Sequence, residues 1–121
     1  MSDTFRLTMA QLNPIVGDIS GNRAKALDAW RAGKKAGSDF VAMPEMFLAG
    51  YQPQDLVLKP AFTADAMAQA AALAADCADG PPLGIGLPWA EDGNLYNVYA
   101  VLSGGAITGA SPARRDRAAT D

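Results

Sequence analysis

The amino-acid sequence predicts a layered α/β fold. Apolar strand-like segments alternate with amphipathic helical segments, in the order strand, helix, strand, helix, strand, strand, strand. Such alternation is typical of a layered α/β fold whose first strands pair in parallel. The composition agrees, because 50% of the 121 residues are hydrophobic and 19% are charged, as in a globular chain of one domain.

The first two predicted strands flank the first helix. Residues 5–12 alternate apolar and polar side chains, which indicates a strand, and Asn13-Pro14 ends it. Residues 40–43 are apolar throughout, which favours a short strand with both faces covered, as in a parallel sheet. Residues 46–58 show no clear period and are expected to form a long loop.

The first helix is expected over residues 22–36. Ser20 or Asn22 is the expected N-cap, and Gly37 is the expected stop, since glycine readily adopts the left-handed conformation that ends helices. The stripe that the periodicity predicts to be buried is Ala24, Leu27 and Trp30.

The second helix is expected over residues 63–79, where Gly80-Pro81-Pro82 ends it. The residues predicted on its buried side are Met67, Ala70, Ala71, Ala74 and Cys77.

Three strands joined by hairpins are expected after the second helix. Turns at residues 91–94 and 103–105 contain the glycines that tight hairpins need. Gly84 and Gly86 alternate within the first of these strands, which favours close packing against a neighbouring element over a phosphate-binding loop. The predicted strands are residues 83–88, 95–102 and 106–108.

The last residues differ in character from the rest. From Ser111 to Asp121 no apolar side chain is larger than alanine. This composition predicts a domain over residues 1–110 and an unrelated, disordered polar tail over residues 111–121. One hypothesis is that the gene is read out of frame near its 3′ end, which would explain this change in composition.

Composition excludes several kinds of chemistry within this chain. It has no histidine, which excludes catalytic triads that use imidazole, and its single cysteine, Cys77, cannot form an intrachain disulfide or a cysteine-rich zinc site. We expect no metal.

The net charge of −3 argues against a nucleic-acid or anionic-membrane partner. The start lacks a leader pattern and no apolar run could cross a bilayer, so a cytoplasmic protein is expected.

Glu45 is the first candidate functional residue. It follows the buried strand predicted over residues 40–43. Ligands of parallel α/β sheets bind beyond the carboxyl ends of the strands. A carboxylate that is partly desolvated there suits a general base, whereas a surface glutamate that caps a helix is the alternative.

The residues around Glu45 resemble the nitrilase superfamily of carbon–nitrogen hydrolases. The similarity is closest to the N-terminal glutamine amidotransferase domain of glutamine-dependent NAD+ synthetases, and it covers residues 5–105. It implies the N-terminal half of a nitrilase-type αββα layered sandwich. The segments that carry it are Pro44–Tyr51, Gln11–Pro14, Val16–Asp18, Gly21-Asn22, Gln54–Leu56 and Leu95–Asn97.

This resemblance implies a reaction that uses the side chains of a glutamate, a lysine and a cysteine. Glu45 matches the family's general base, which activates a cysteine that attacks the carboxamide of glutamine, while a lysine stabilises the oxyanion. Tyr51 matches a pocket residue, although a packing tyrosine is an equal alternative. No cofactor is implied for the glutaminase step. ATP and deamido-NAD would belong to a synthetase domain that this sequence does not contain.

The sequence departs from the family pattern beyond the predicted hairpin. No lysine follows Lys59, and the family's lysine and its following aromatic residues have no counterpart. Lys59 is interpreted as a surface lysine, and Arg114 and Arg115 as solvated charges that would not replace an ammonium. Cys77 lies on the apolar side of a helix, which indicates a buried, inert thiol.

Two functions follow from these patterns. The first is a piece of a glutaminase domain that is inactive alone. The second is a small binding or regulatory module that associates with a full-length nitrilase-type relative, and such domains also form homo-oligomers. A nucleotide-binding protein is disfavoured, because Asn13–Gly17 does not match a glycine-rich phosphate loop.

Overall fold

The computed structural model describes residues 4–50 and 60–115. In these residues the chain forms a five-stranded sheet, in the order β1-β2-β3-β4-β5, and two helices. The elements are β1 (Leu7–Met9), α1 (Ile19–Lys35), β2 (Phe40–Ala42), α2 (Pro60–Asp76), β3 (Leu83–Glu91), β4 (Asn94–Ser103) and β5 (Ala106–Arg115).

The predicted strand and helix order and the predicted pairing are confirmed. Strand β2 pairs in parallel with both β1 and β3, whereas β3, β4 and β5 are antiparallel. Asp92-Gly93 and Gly104-Gly105 form the two hairpin turns, and all four residues have positive φ angles between 53° and 93°. Such angles give a turn whose twist matches that of the strands, and glycine adopts them without steric cost.

Both helices cover one face of the sheet. A Cβ on Gly33 of α1 would lie 3.5 Å from Thr8 Oγ1, and it would also meet Val41. These two side chains therefore face α1. Val41 is in register with Leu83 of β3. The side chains of Leu83 and of every second residue along β3 therefore lie on the same face of the sheet as Val41. One apolar core lies between the sheet and the helices, and it includes Ala26, Trp30, Ala70, Leu73, Val41, Leu83, Ile85 and Leu102.

Helix α1 begins three residues before the predicted start. Asp18 is its N-cap, and the carboxylate accepts a hydrogen bond from the Gly21 N–H at 3.1 Å. The predicted caps, Ser20 and Asn22, are therefore wrong, and Ala24 is exposed. The predicted stop at Gly37 is confirmed, since its φ angle is +80°. The residues that α1 buries are Ile19, Asn22, Ala26, Trp30 and Gly33.

Helix α2 also lies three residues earlier than predicted. Ala71, which was expected to be buried, is exposed, and Met67 is only partly buried. Leu73, whose large side chain is fully buried, sets which side of the helix faces the sheet. The prediction that Ala70, Ala74 and Cys77 are buried is confirmed.

The first and last strands differ in length from the prediction. Strand β1 has only three residues, because it pairs on one side with an equally short β2. Strand β5 extends to Arg115, because it pairs along most of the ten-residue β4. An irregular chain therefore does not begin at Ser111, and residues 116–121 of the expected tail lie outside the described residues.

The face of the sheet opposite the helices is apolar near β1. Leu7 and Met9 alternate with Thr8, which faces α1, so both point to the opposite face. Phe5, Leu7 and Met9 are 66%, 50% and 67% exposed. We call these three residues the open apolar patch. Among the described residues, neither helix combines the length and the hydropathy that a membrane span requires.

Candidate active site

Glu45 lies where the sequence predicted it, just beyond the carboxyl end of β2. It begins a turn over residues 45–49, which we call the Glu45 turn. The Glu45 side chain is exposed, so the expected partial desolvation is not observed in this chain. The next residue, Met46, has a φ angle of +53°, a conformation that non-glycine residues rarely adopt. Surrounding contacts must therefore hold this turn in place.

Gly86 of β3 supports the Glu45 turn directly. Its N–H donates to the Pro44 carbonyl at 3.2 Å, and its own carbonyl accepts from the Leu48 N–H at 3.1 Å. A Cβ on Gly86 would lie 2.6 Å from Glu45 Cα and 2.7 Å from its carbonyl carbon. Only glycine permits this approach, which confirms the predicted close packing at the strand glycines.

Tyr99 of β4 holds the chain just before the turn. Its hydroxyl donates a hydrogen bond to the Met43 carbonyl at 2.8 Å. Its ring lies over Gly84, where a Cβ would come within 2.6 to 2.9 Å of three ring and hydroxyl atoms. Burial raises the pKa of Tyr99 above its usual value of 10.0, so the hydroxyl that donates to Met43 stays protonated at neutral pH.

Asn22 fixes the other side of the turn and is fully buried. Its amide Nδ2 donates to the carbonyls of Ile15 at 2.8 Å and Leu48 at 3.0 Å, while Oδ1 accepts from the Ile15 N–H at 2.8 Å. The loop after β1 also contacts Gly50, where a Cβ would lie 2.6 Å from Val16 Cα. One side chain therefore ties two loops together at the carboxyl ends of β1 and β2.

The sequence interpretation missed Tyr99 and the role of Asn22. Asn22 was considered as a helix cap and as part of a segment that resembles the family, although an asparagine among apolar helix positions is a signal of a buried polar contact. For Tyr99 the available signal was weaker. Small residues alternate on β3, so a large side chain on a neighbouring strand is needed to fill that face.

Asn97 belongs to the Leu95–Asn97 segment that resembles the family. It lies opposite Pro88 on β3, two residues from Tyr99, and therefore on the same face of the sheet as Tyr99. Its Oδ1 atom is buried and has no hydrogen-bond partner among the described residues. Buried acceptors are rarely left without a donor, so this face has unused hydrogen-bonding capacity.

Cys77 does not have the properties of a nucleophile. Burial, followed by the nearby Asp76 carboxylate, raises its pKa to about 12. A thiol with such a pKa is almost entirely protonated at neutral pH, and the thiolate is the reactive form. The predicted burial of this thiol is confirmed.

The remaining candidates cannot be placed at the site. Tyr51 and Lys59 lie outside the described residues. Arg114 and Arg115 lie at the end of strand β5, at positions where only the backbone is described. Within the described residues, no three Cys, Asp or Glu side chains are grouped so that they could hold a metal ion.

A groove of about 550 Å³ lies at the C-terminal ends of α1 and α2, but no residue of the Glu45 turn lines it. Two of its charges pair with each other, since Lys34 Nζ lies 3.2 Å from Asp79 Oδ2. Two helix C-termini also disfavour an anion there. The groove is therefore not the candidate site.

The sequence matches the carbon–nitrogen hydrolase family over residues 6–116, so the chain belongs to that family. The glutamine-dependent NAD(+) synthetase of Rhodobacter capsulatus is 59% identical over 107 residues, which are 88% of this chain and 19% of that protein. The synthetase of the same name from Thermotoga maritima is 50% identical over 58 residues. The chain thus spans about a fifth of the length of the first of these relatives and less of the second.

Solved structures place this chain within the same fold. A glutamine-dependent NAD(+) synthetase from Cytophaga hutchinsonii superposes with a TM-score of 0.85 at 29% identity, over 91% of this chain and 19% of that one. An amidase from Nesterenkonia sp. superposes with a TM-score of 0.75 at 19% identity, over 89% of this chain and 42% of that one. The described residues are therefore part of a nitrilase-type fold, as predicted.

Proposed function

We propose that this chain is a piece of a glutaminase domain that hydrolyses glutamine to supply ammonia for NAD+ synthesis. The observation that carries the proposal is the Glu45 turn, which Gly86 and Tyr99 support at the carboxyl end of a parallel strand. The named relatives are glutamine-dependent synthetases, which supports glutamine as the substrate.

In the proposed reaction Glu45 takes the proton of a cysteine thiol. The sulfur attacks the carboxamide carbon of glutamine, and a lysine stabilises the oxyanion that forms. Collapse of this intermediate expels ammonia, to which Glu45 gives the proton that it took from the thiol, and leaves a thioester. Water then attacks the thioester, which releases glutamate and restores the thiol. Ammonia would amidate deamido-NAD with ATP in a synthetase domain, outside this chain.

This chain alone is expected to be inactive. Its four lysines are Lys25, Lys34, Lys35 and Lys59, none of which follows the hairpins as the family pattern requires. Its one cysteine is buried with a pKa raised to about 12. The chain therefore supplies a base and no competent nucleophile.

A chimera tests the proposal. In the Rhodobacter capsulatus synthetase, the 107-residue stretch that is 59% identical is replaced by this chain's residues. We expect ammonia release from glutamine by the chimera and none by the chain alone, measured in a coupled assay. Synthesis driven by added ammonium chloride is the control for folding. A chimera that uses ammonium but not glutamine would contradict the proposal.

A second candidate function is association with a full-length nitrilase-type relative. The open apolar patch favours it, because exposed apolar side chains grouped on one face mark interaction surfaces. The chain also covers less than half of the amidase whose fold it shares, so the rest of that fold packs on some surface of this part.

Light scattering after size exclusion tests this second function. The wild-type chain is expected to co-elute with the full-length Rhodobacter capsulatus synthetase. A Leu7→Asp/Met9→Asp variant is expected to elute separately, since buried charges are costly. Ala24→Asp, on the exposed side of α1, is the matched control and should behave as the wild type. Separate elution of the wild-type chain would exclude this role.

A further inference from the structure

We propose that Tyr99 is a positioning residue that fixes the backbone from which Glu45 projects and so sets the geometry of the general base. This inference rests on the proposed glutaminase function. Tyr99 is in β4, remote from Glu45 in sequence, and its hydroxyl acts through the Met43 carbonyl rather than on substrate.

The hydrogen bonds around the Glu45 turn show why one hydroxyl matters. Among the described residues, two side chains donate to carbonyls of residues 43–50, and they do so at opposite ends. Asn22 holds Leu48, three residues after Glu45, and is shared with Ile15. Tyr99 holds Met43, two residues before Glu45. The Tyr99 hydroxyl therefore controls the end at which the chain enters the turn.

The phenol ring is itself held in place, so the hydroxyl has little freedom. The ring lies over Gly84, and the Met43 N–H donates to the Gly84 carbonyl at 2.8 Å. The Tyr99 ring packs beside the strand that it supports, so the side chain has little freedom to lose. It therefore loses little conformational entropy when its hydroxyl forms the hydrogen bond. Because the pKa of Tyr99 is raised by burial, the donor persists across the neutral pH range.

Positioning of this kind is expected to affect catalysis because Met46 is strained. With a φ angle of +53° at Met46, the turn would relax if an anchor were removed. A general base must lie within hydrogen-bond reach of the proton that it takes. A shift of the Glu45 backbone by a fraction of an ångström would lengthen that contact without changing the substrate pocket.

Tyr99→Phe in the chimera tests the inference, because it removes the hydroxyl and keeps the ring. We expect kcat for glutamine hydrolysis to fall about tenfold while KM changes less than about twofold, since a misplaced base slows chemistry and leaves ground-state binding intact. Tyr96→Phe is the matched control. Tyr96 is in the same strand on the opposite face, and it should leave both constants unchanged. An unchanged kcat in Tyr99→Phe would overturn the inference.

Two further measurements separate this inference from its premises. If Glu45→Gln removes glutamine hydrolysis and Tyr99→Phe does not, the proposed function stands and the inference fails. If Glu45→Gln has no effect, the proposed function fails first.

Hydrogen exchange tests the anchor in the chain itself. The Leu48 and Gly86 amides, which bond across the turn, should exchange about tenfold faster in Tyr99→Phe, whereas amides within α1 should not.

Discussion

Glu45→Gln in the chimera is expected to lower the rate of glutamine hydrolysis about a thousandfold, which is within the range for loss of a general base. Glutamine is almost isosteric with glutamate, but its amide cannot take a proton from the thiol. The side chain is exposed in this chain, so the substitution leaves no buried group unpaired. The measurement is kcat for ammonia release at saturating glutamine.

The chain provides a matched control for this substitution. Its other glutamate, Glu91, ends β3 next to a hairpin turn and is also exposed. Glu91→Gln removes the same charge at a similar position and should change kcat by less than about twofold, since surface changes away from the site are usually small. Equal rates for the Glu45 and Glu91 variants would show that Glu45 is not the base.

Gly86→Ala is expected to lower the free energy of unfolding by about 3 kcal/mol, at the upper end for an overpacked site. The added Cβ would lie 2.6 Å from Glu45 Cα and 2.7 Å from its carbonyl carbon, and it would also meet the Met46 nitrogen. These are backbone atoms, so no side-chain rotation relieves the contact. The turn would have to move away from β3, with the loss of its two hydrogen bonds to Gly86.

Urea unfolding followed by circular dichroism measures this loss. Gly109→Ala is the control, because a Cβ at Gly109 in β5 would meet nothing within 4 Å. That substitution should be neutral or stabilise the chain by up to about 1 kcal/mol, since glycine is unfavourable in a strand. Equal unfolding midpoints for the two variants would show that a Cβ at position 86 does not clash with the Glu45 turn.

Local patterns in the sequence predicted most of the fold. Alternating apolar residues, the stop at Gly37 and the two glycine-containing hairpins depend on neighbours in the chain, and all three are confirmed. The ends of the elements were less predictable. Asp18 caps α1 in place of Ser20 or Asn22, because three polar residues within one turn offered similar local choices and burial of Asn22 decided between them.

The candidate site was also predicted only in part from the sequence. The position of Glu45 at the end of a buried strand followed from the sequence, since strand ends are set by local apolar runs. The supports of that residue did not follow. Gly86 and Tyr99 lie more than forty residues away in the chain, and only the register of β3 against β4 and the return of the chain over β3 bring them together.

By itself, the sequence determined the α/β class and the family resemblance, and it predicted the residue that would act as a base. Tertiary structure decided how that residue is held. Asn22 and Gly86 contact the Glu45 turn, and Tyr99 bonds to Met43 just before it, all between segments remote in sequence. Such contacts depend on strand register and on which side chains the core excludes from water, and neither is encoded by any short segment alone.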